Sequence, residues 1–295
     1  MTAIDPNVDY RSWLEALAAR RRFGPHDRLG TANHIDAAAR RRAAQAVVDG
    51  NVMALARPLL DQHSVREDER PGLCVDVYYT DGPIGMGSDH VEIDCHGITN
   101  THLDALNHIS VGGTWYGGWA VDDPDTHTVV DLSAHGLVTR GVVIDVPGTR
   151  GEPWVDPDRP VTADDIEDSL AATGTTFAPG DALLLYMGRD RFEADGHQMA
   201  AARSGVVNPG VGRSAATWIV DHDVSILCWD FLDSNHPSEP LACVHLLNWA
   251  VGLVLVDNCD LSVATRSGRA TGALMVAPIA VPGGTGSLVQ PLFLS

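Results

Sequence analysis

Thirty-nine acidic residues against twenty basic ones give this 295-residue chain a formal charge of −19, which opposes binding to phosphate backbones and to anionic membrane surfaces. Hydrophobic residues make up 44% of the chain and charged residues 20%, the balance of a globular protein with a sizeable core. No apolar run approaches the length of a membrane span, so neither nucleic acid nor membrane is an expected partner.

The chain opens with two helical patterns, over 11–21 and 36–49. The second starts near Asp36 and runs to Gly50 through alanine-rich sequence carrying Arg40, Arg41 and Arg42, a basic run that reads as a solvated face or an intersubunit contact. Residues 52–56 and 74–79 read as strands, with 65–70 as loop between them. Further on, 141–147 is a β-branched run closed by Pro147, and 181–187 is a second buried strand. Between these two, Thr162 caps a helix that has Asp164 and Asp165 in its first turn. A helix over roughly 212–220, a strand over 224–229, a strand over 250–256 leading to Asp257 and a strand-rich end complete the chain. Strands alternate with helical connectors, but no strictly repeated βα unit and no G-x-G-x-x-G fingerprint is present. The pattern predicts a mixed α/β fold in one domain over 1–295, with a helical arm over about residues 1–50.

Cys74, Cys95, Cys228, Cys243 and Cys259 are odd in number and form no C-x-x-C unit, which points to a reducing compartment. The amino end, Met1 to Pro6, has neither the basic start nor the apolar stretch of a secretory signal, so a cytoplasmic protein is expected. Cys95 sits beside His96 but reads as a small core residue and not as a thiolate nucleophile. No G-x-S-x-G elbow for a serine nucleophile is present.

The densest chemistry lies between Thr101 and His108. Side chains of an extended segment alternate between faces, so His102, Asp104 and His108 share a parity, with His96 on the same parity if the chain stays extended. An imidazole and a carboxylate two residues apart on one face supply half of a first shell for Zn²⁺ or Mn²⁺. Trp115, Tyr116 and Trp119 follow around the flexible Gly117-Gly118 pair, as in a pocket-forming loop, and Trp229 is a second candidate wall; together they favour a flat, cyclic or aromatic substrate.

His102-x-Asp104-x₃-His108, preceded by Thr101, resembles the H-x-G-T-H-x-D-x-P-x-H signature of the cyclase family of metal-dependent hydrolases, the group of kynurenine formamidase and isatin hydrolase. The stretch from Phe23 to Asn33 resembles the W-G-x-x-D-x-x-G-T-x-N opening of its longer members. His245 and, twelve positions on, Asp257 before Asn258 resemble the family's second His and Glu-Asn pair, and Gly283 to Ser287 resembles its closing segment. Two positions depart from the pattern: Ile98 stands at the first signature His, with His96 as the obvious substitute, and Leu106 stands at the proline. Asp257 is also one methylene shorter than the family's Glu.

The resemblance implies the cyclase family's mixed-sheet, swivelling β/α fold, a homodimer or homotetramer, and one or two divalent ions, zinc or manganese, held by His96, His102, Asp104, His245 and Asp257. Asp104 would bridge the two ions. A divalent ion lowers the pKa of a bound water to roughly 7 in good zinc sites, and the family pattern leaves His108 outside the ligands as the group that moves the proton. The implied activity is hydrolysis of an amide, lactam or lactone bond in a small cyclic or aryl compound. The alternatives are a metal-dependent cyclase or dehydratase of a biosynthetic pathway, and a metal-binding relative without catalysis.

Overall fold

A computed structural model describes residues 9–59, 73–200, 206–239 and 242–295; the stretch 65–70, read above as loop, lies outside them. In chain order the elements are α1 (Tyr10–Ala18), α2 (Ala37–Gln45), β1 (Val52–Ala54), β2 (Leu73–Tyr79), β3 (Gly87–Ile93), β4 (His102–Asp104), α3 (Val129–His135), β5 (Leu137–Asp145), α4 (Val146–Arg150), α5 (Ala163–Thr173), β6 (Ala182–Tyr186) and α6 (Arg189–Ala194). There follow β7 (Gly210–Val211), α7 (Arg213–Asp221), β8 (Ile226–Trp229), β9 (Leu232–Asp233), α8 (His245–Val251), β10 (Val254–Asp257), α9 (Ser262–Arg266), β11 (Thr271–Val276), β12 (Gly286–Leu288) and β13 (Leu292–Leu294).

Nine strands form one mixed sheet in the order β1-β13-β11-β5-β6-β8-β10-β4-β12. Its centre, β5-β6-β8-β10, is parallel, and antiparallel strands flank it on both sides. Parallel strands need cover on both faces, and the period-2 alternation supplies two sets of apolar side chains. Val142, Ile144, Leu183, Leu185, Leu227, Trp229 and Leu255 join one core with α1, α5, α7 and α8. Val143, Leu184, Tyr186, Ile226, Cys228, Val254 and Val256 join the other with Leu103, Val129 and Phe293.

Several element ends differ from the sequence pattern because tertiary partners capture them. The first helix stops at Ala18 and not at residue 21: the Arg21 guanidinium leaves it to donate to the Trp249 and Ala250 carbonyls at the end of α8. The second stops at Gln45, and the Asp49 and Gly50 N–H groups donate to the Ser295 carbonyl. Arg40 and Arg42, read as a solvated or intersubunit run, instead lie against His135 and the buried Asp181. Pro147 does not close a strand but sits in the first turn of α4, where its missing N–H costs nothing. Ala250 and Val251 end α8, and the left-handed Gly252 turns the chain into β10. Thr162 caps α5 as expected, in a reciprocal box with Asp165.

Candidate metal centre

Sheet register brings the first ligand candidates together. β4 pairs antiparallel with β10 so that His102 stands opposite Asp257 and Asp104 opposite Leu255, and residues directly opposite share a face. That face is the one carrying Leu227 and Trp229 on β8 and covered by α8, whose first residue is His245. His96 and His108 arrive differently from the parity argument. β4 is only three residues long. His96 approaches across a bend over 97–100, and His108 returns through a turn in which its N–H donates to the Ala105 carbonyl.

The result is a fully buried carboxylate ringed by imidazoles. Asp104 Oδ1 lies 3.0 Å from His96 Nδ1 and 3.6 Å from His102 Nε2. Asp104 Oδ2 lies 3.6 Å from His108 Nε2 and 3.8 Å from His245 Nε2. Neither oxygen makes a well-oriented hydrogen bond with these nitrogens. Asp257 Oδ2 completes the ring, 3.1 Å from His245 Nε2 and 3.9 Å from His102 Nε2. The His96 and His108 rings stack at 4.3 Å.

Hydrogen-bond partners fix which ring nitrogens carry protons. His102 Nδ1 is 2.9 Å from the Asn100 carbonyl, which can only accept, so Nδ1–H donates and Nε2 presents a lone pair to two carboxylates. His245 Nδ1 faces the Asp233 carboxylate in the same way, and Asp233 also accepts from the Val244 N–H at 2.6 Å. A lone pair aimed at a carboxylate is repulsive unless a proton or a cation lies between them. These residues therefore fit a divalent ion: His96, His102 and Asp104 have donor atoms within 4.8 Å of one another, as do Asp104, His108 and His245.

Electrostatics agree with that reading. Burial opposes charge on Asp104, but His108, His96 and His102 hold its carboxyl well below the usual range. His108 is depressed to about 4 by burial, against the pull of Asp104. Burial also opposes charge on His245, yet Asp233 and Asp257 raise it well above the ordinary value, so a proton sits where a cation would compete for it. Burial and the Asp104 charge push the Cys95 thiol up to about 12, which agrees with the reading against a thiolate nucleophile.

Of the aromatic residues, the structure brings Trp229 to the cluster. It does so as a support: Trp229 is fully buried, and its Nε1–H donates to Asp257 Oδ1 at 2.5 Å, leaving Oδ2 to the imidazoles. Tyr116 and Trp119 of the following loop find other partners. Tyr116 is fully buried, with its hydroxyl donating to Asp27 and its ring under the Arg21 guanidinium. Trp119 packs against His26 and His127, and its carbonyl accepts from the Trp115 N–H. Their loop meets the Trp249 and Gly252 end of α8, one helix length or about 10 Å from His245.

Sequence reasoning missed four supports. Asp233 orients His245, and Thr285 Oγ1 lies 3.0 Å from His96 Nε2. Gly286, opposite Asp104 in register, leaves space for His96; an added Cβ would lie 2.6 Å from its Cε1. Arg189 donates to the Ile98 carbonyl. The closing-segment resemblance at Gly283 to Ser287 pointed at Thr285 and Gly286 without giving them a task, whereas nothing local marks Asp233 or Arg189.

A family model for cyclases matches residues 23–236. Among solved structures the fold is similar to that of a novel cyclase, with a TM-score of 0.81 at 20% identity over 99% of this chain and 100% of that one. It is also similar to isatin hydrolase A of Labrenzia aggregata bound to benzyl benzoate, with a TM-score of 0.59 at 20% identity over 85% and 94% of the two chains. Isatin hydrolase A of Ralstonia solanacearum gives 0.59 at 17% identity over 98% of each. No curated protein matches the chain.

Proposed function

Because the chain belongs to the cyclase family, we propose that it is a metal-dependent hydrolase that opens an amide, lactam or lactone bond in a small cyclic or aryl substrate. The observation that carries this reading is the buried Asp104 ringed by four imidazole nitrogens, with the His102 ring held in a tautomer that turns a lone pair inward and the His245 ring oriented by Asp233. The fold shared with isatin hydrolases, which act on a cyclic amide, supports the substrate class. His96, His102 and Asp104 would hold one ion, with Asp104, His245 and Asp257 available for a second; their nitrogen and oxygen donors suit zinc and manganese. When bound, such an ion supplies Lewis acidity, which acidifies a water and polarises a substrate carbonyl.

The remaining steps belong to the chain's own side chains. Side-chain exposure of 23% at His108 and 28% at His96, against 3% or less at His102, Asp104 and Asp257, gives the cluster its open side. A substrate entering on that side meets His96 and His108. With its affinity for protons depressed by burial, His108 is neutral at pH 7 and free to take a proton from the attacking water at Nε2. It then returns that proton to the leaving nitrogen or oxygen.

The test combines metal analysis with a screen of formanilides, lactams and lactones. Asp104→Ala should lose metal and turnover together, and full metal content with full turnover in that variant would refute the site. His108→Ala should keep its metal and lose roughly 10²–10⁴ in turnover, most on poor leaving groups and least on activated esters. Loss of metal from His108→Ala would make it a ligand instead of the proton carrier.

A further inference from the structure

The bend over 97–100 carries His96 into the cluster and ends beside His102, yet it belongs to no helix or strand. Its carbonyls need partners from elsewhere. They find them in two buried side chains remote in sequence. Asn258, fully buried, directs its Nδ2 to the Gly97 carbonyl at 2.8 Å and the Asn100 carbonyl at 3.1 Å. Arg189, 3% exposed, directs Nη2 to the Ile98 carbonyl at 2.5 Å and Nη1 to Asn258 Oδ1 at 2.7 Å and the Asp230 carbonyl at 3.1 Å.

We infer that Arg189, acting through Asn258, is a positioning residue that clamps the 97–100 bend so that His96 and His102 face Asp104. The inference rests on the metal-site reading above. Three features support the clamp. The Asn100 carbonyl accepts from both Asn258 Nδ2 and His102 Nδ1, so whatever fixes that carbonyl fixes the inward nitrogen of His102. Asn258 directly follows Asp257 and adopts a left-handed backbone, φ +55°, which turns its side chain back toward the bend and joins both halves of the ligand set.

Arg189 is itself held from two sides. Asp230 accepts from the Met187, Gly188 and Arg189 N–H groups, which fixes the first turn of α6. Glu193 Oε1 accepts from Arg189 Nε at 2.8 Å, and Arg57 pairs with the other oxygen of Glu193. The Arg57 N–H in turn donates to Thr101 Oγ1, whose hydroxyl donates to the Asn258 carbonyl at 2.7 Å. The far end of the bend is thereby tied to the same network. Only a guanidinium, with its planar fork of donors, reaches an amide oxygen and two carbonyls while keeping its ion pair; a lysine ammonium has too few donors in the wrong plane.

The experiment is a Co²⁺ titration of the full chain, following both the dissociation constant and the visible spectrum of the bound ion, which reports its coordination geometry. Asn258→Gly accepts the left-handed backbone without strain, and Arg189→Met removes the fork at similar volume. Each should weaken Co²⁺ binding roughly 10–100-fold and alter the spectrum. Arg150→Met removes a comparably buried ion pair, with Asp165, whose guanidinium partner otherwise donates only to the Arg159 and Pro160 carbonyls; it should lose thermal stability while binding Co²⁺ as the native chain does. Should Arg189→Met fail to fold, Asn258→Gly decides. Native affinity and spectrum in Asn258→Gly, or an equal loss of affinity in Arg150→Met, would overturn the clamp alone. Absence of Co²⁺ binding by the native chain would overturn the metal-site reading and the clamp with it.

Discussion

At His108 burial and charge pull in opposite directions. Burial favours the neutral ring, the Asp104 carboxylate 3.6 Å away favours the charged one, and burial prevails, leaving His108 at about 4 against an ordinary value of 6.5. The unfolded chain takes up this proton near 6.5, whereas the folded chain waits until about 4. Between those values the unfolded state binds more protons, so the contribution to stability is present above 6.5 and is lost as pH falls through the window. In the metal-free protein His108→Gln should therefore flatten the fall in Tm between pH 6.5 and 4, as followed by scanning calorimetry; a native slope in the variant would remove His108 from the acid response. His245 has the opposite sign. Its raised folded value makes its contribution fully present below 6.5 and lost as pH rises from there through the folded value.

Among the elements, β10 depends on a brace from the amino-terminal arm. Asp27 accepts from the Gly30 N–H, from Asn33 Nδ2 and from the Tyr116 hydroxyl, which closes the turn over Gly30–His34. Thr31 then donates from its N–H to the Gly252 carbonyl and from Oγ1 to the Ser225 carbonyl, while Val254 N–H donates to Thr31 Oγ1. The D-x-x-G-T-x-N stretch is thus architectural: it seats the start of the strand that ends in Asp257. Gly30 has φ +54°, and a Cβ there would lie 2.1 Å from the Gly252 carbonyl oxygen. Gly50 has φ +72° with nothing within 4 Å of an added Cβ. Gly50→Ala should cost about 1–2 kcal/mol for the left-handed backbone alone. Gly30→Ala should cost more than about 3 kcal/mol, because backbone must also move. Urea unfolding of the two variants checks the contrast, and equal costs would mean that the glycine contact is not a tight one.

For the whole molecule, the hairpin β2–β3 stands apart from the nine-stranded sheet. Alternate residues Val75, Val77 and Tyr79 share one of its faces, Ile84 and Met86 lie near its tip, and all five are exposed. A two-stranded hairpin is marginal on its own in water, and we propose that it makes a self-contact in the homodimer or homotetramer that the family resemblance implies. The charge of −19 opposes association at low salt, so added salt should strengthen it. Light scattering at micromolar concentration should find an oligomer, and Val77→Asp with Met86→Asp should shift it toward monomer; a native monomer at all salt concentrations would exclude the proposal. No helix among the described residues is long and apolar enough to cross a membrane.

Local chemistry made part of this protein legible in its sequence. The continuous apolar runs specify the central strands because buried parallel strands need apolar side chains on both faces, and Thr162 with Asp165 specifies a helix start because both atoms of the cap lie within one turn. His102 and Asp104 share a strand face through period-2 geometry, which is likewise a local property. What tertiary structure decided is everything set by register and crossing. Asp257 faces His102 only because β10 pairs with β4 in that register, and Asp233 reaches His245 across a connection without regular pattern. Arg189 meets the Ile98 carbonyl across 91 residues. The aromatic loop went the other way: Trp115, Tyr116 and Trp119 follow His108 closely in sequence, but Tyr116 found its hydrogen bond at Asp27 and its packing on Gly252. Sequence neighbours share a chain, whereas a binding site is assembled from groups that share a face, and only the folded sheet determines which groups those are.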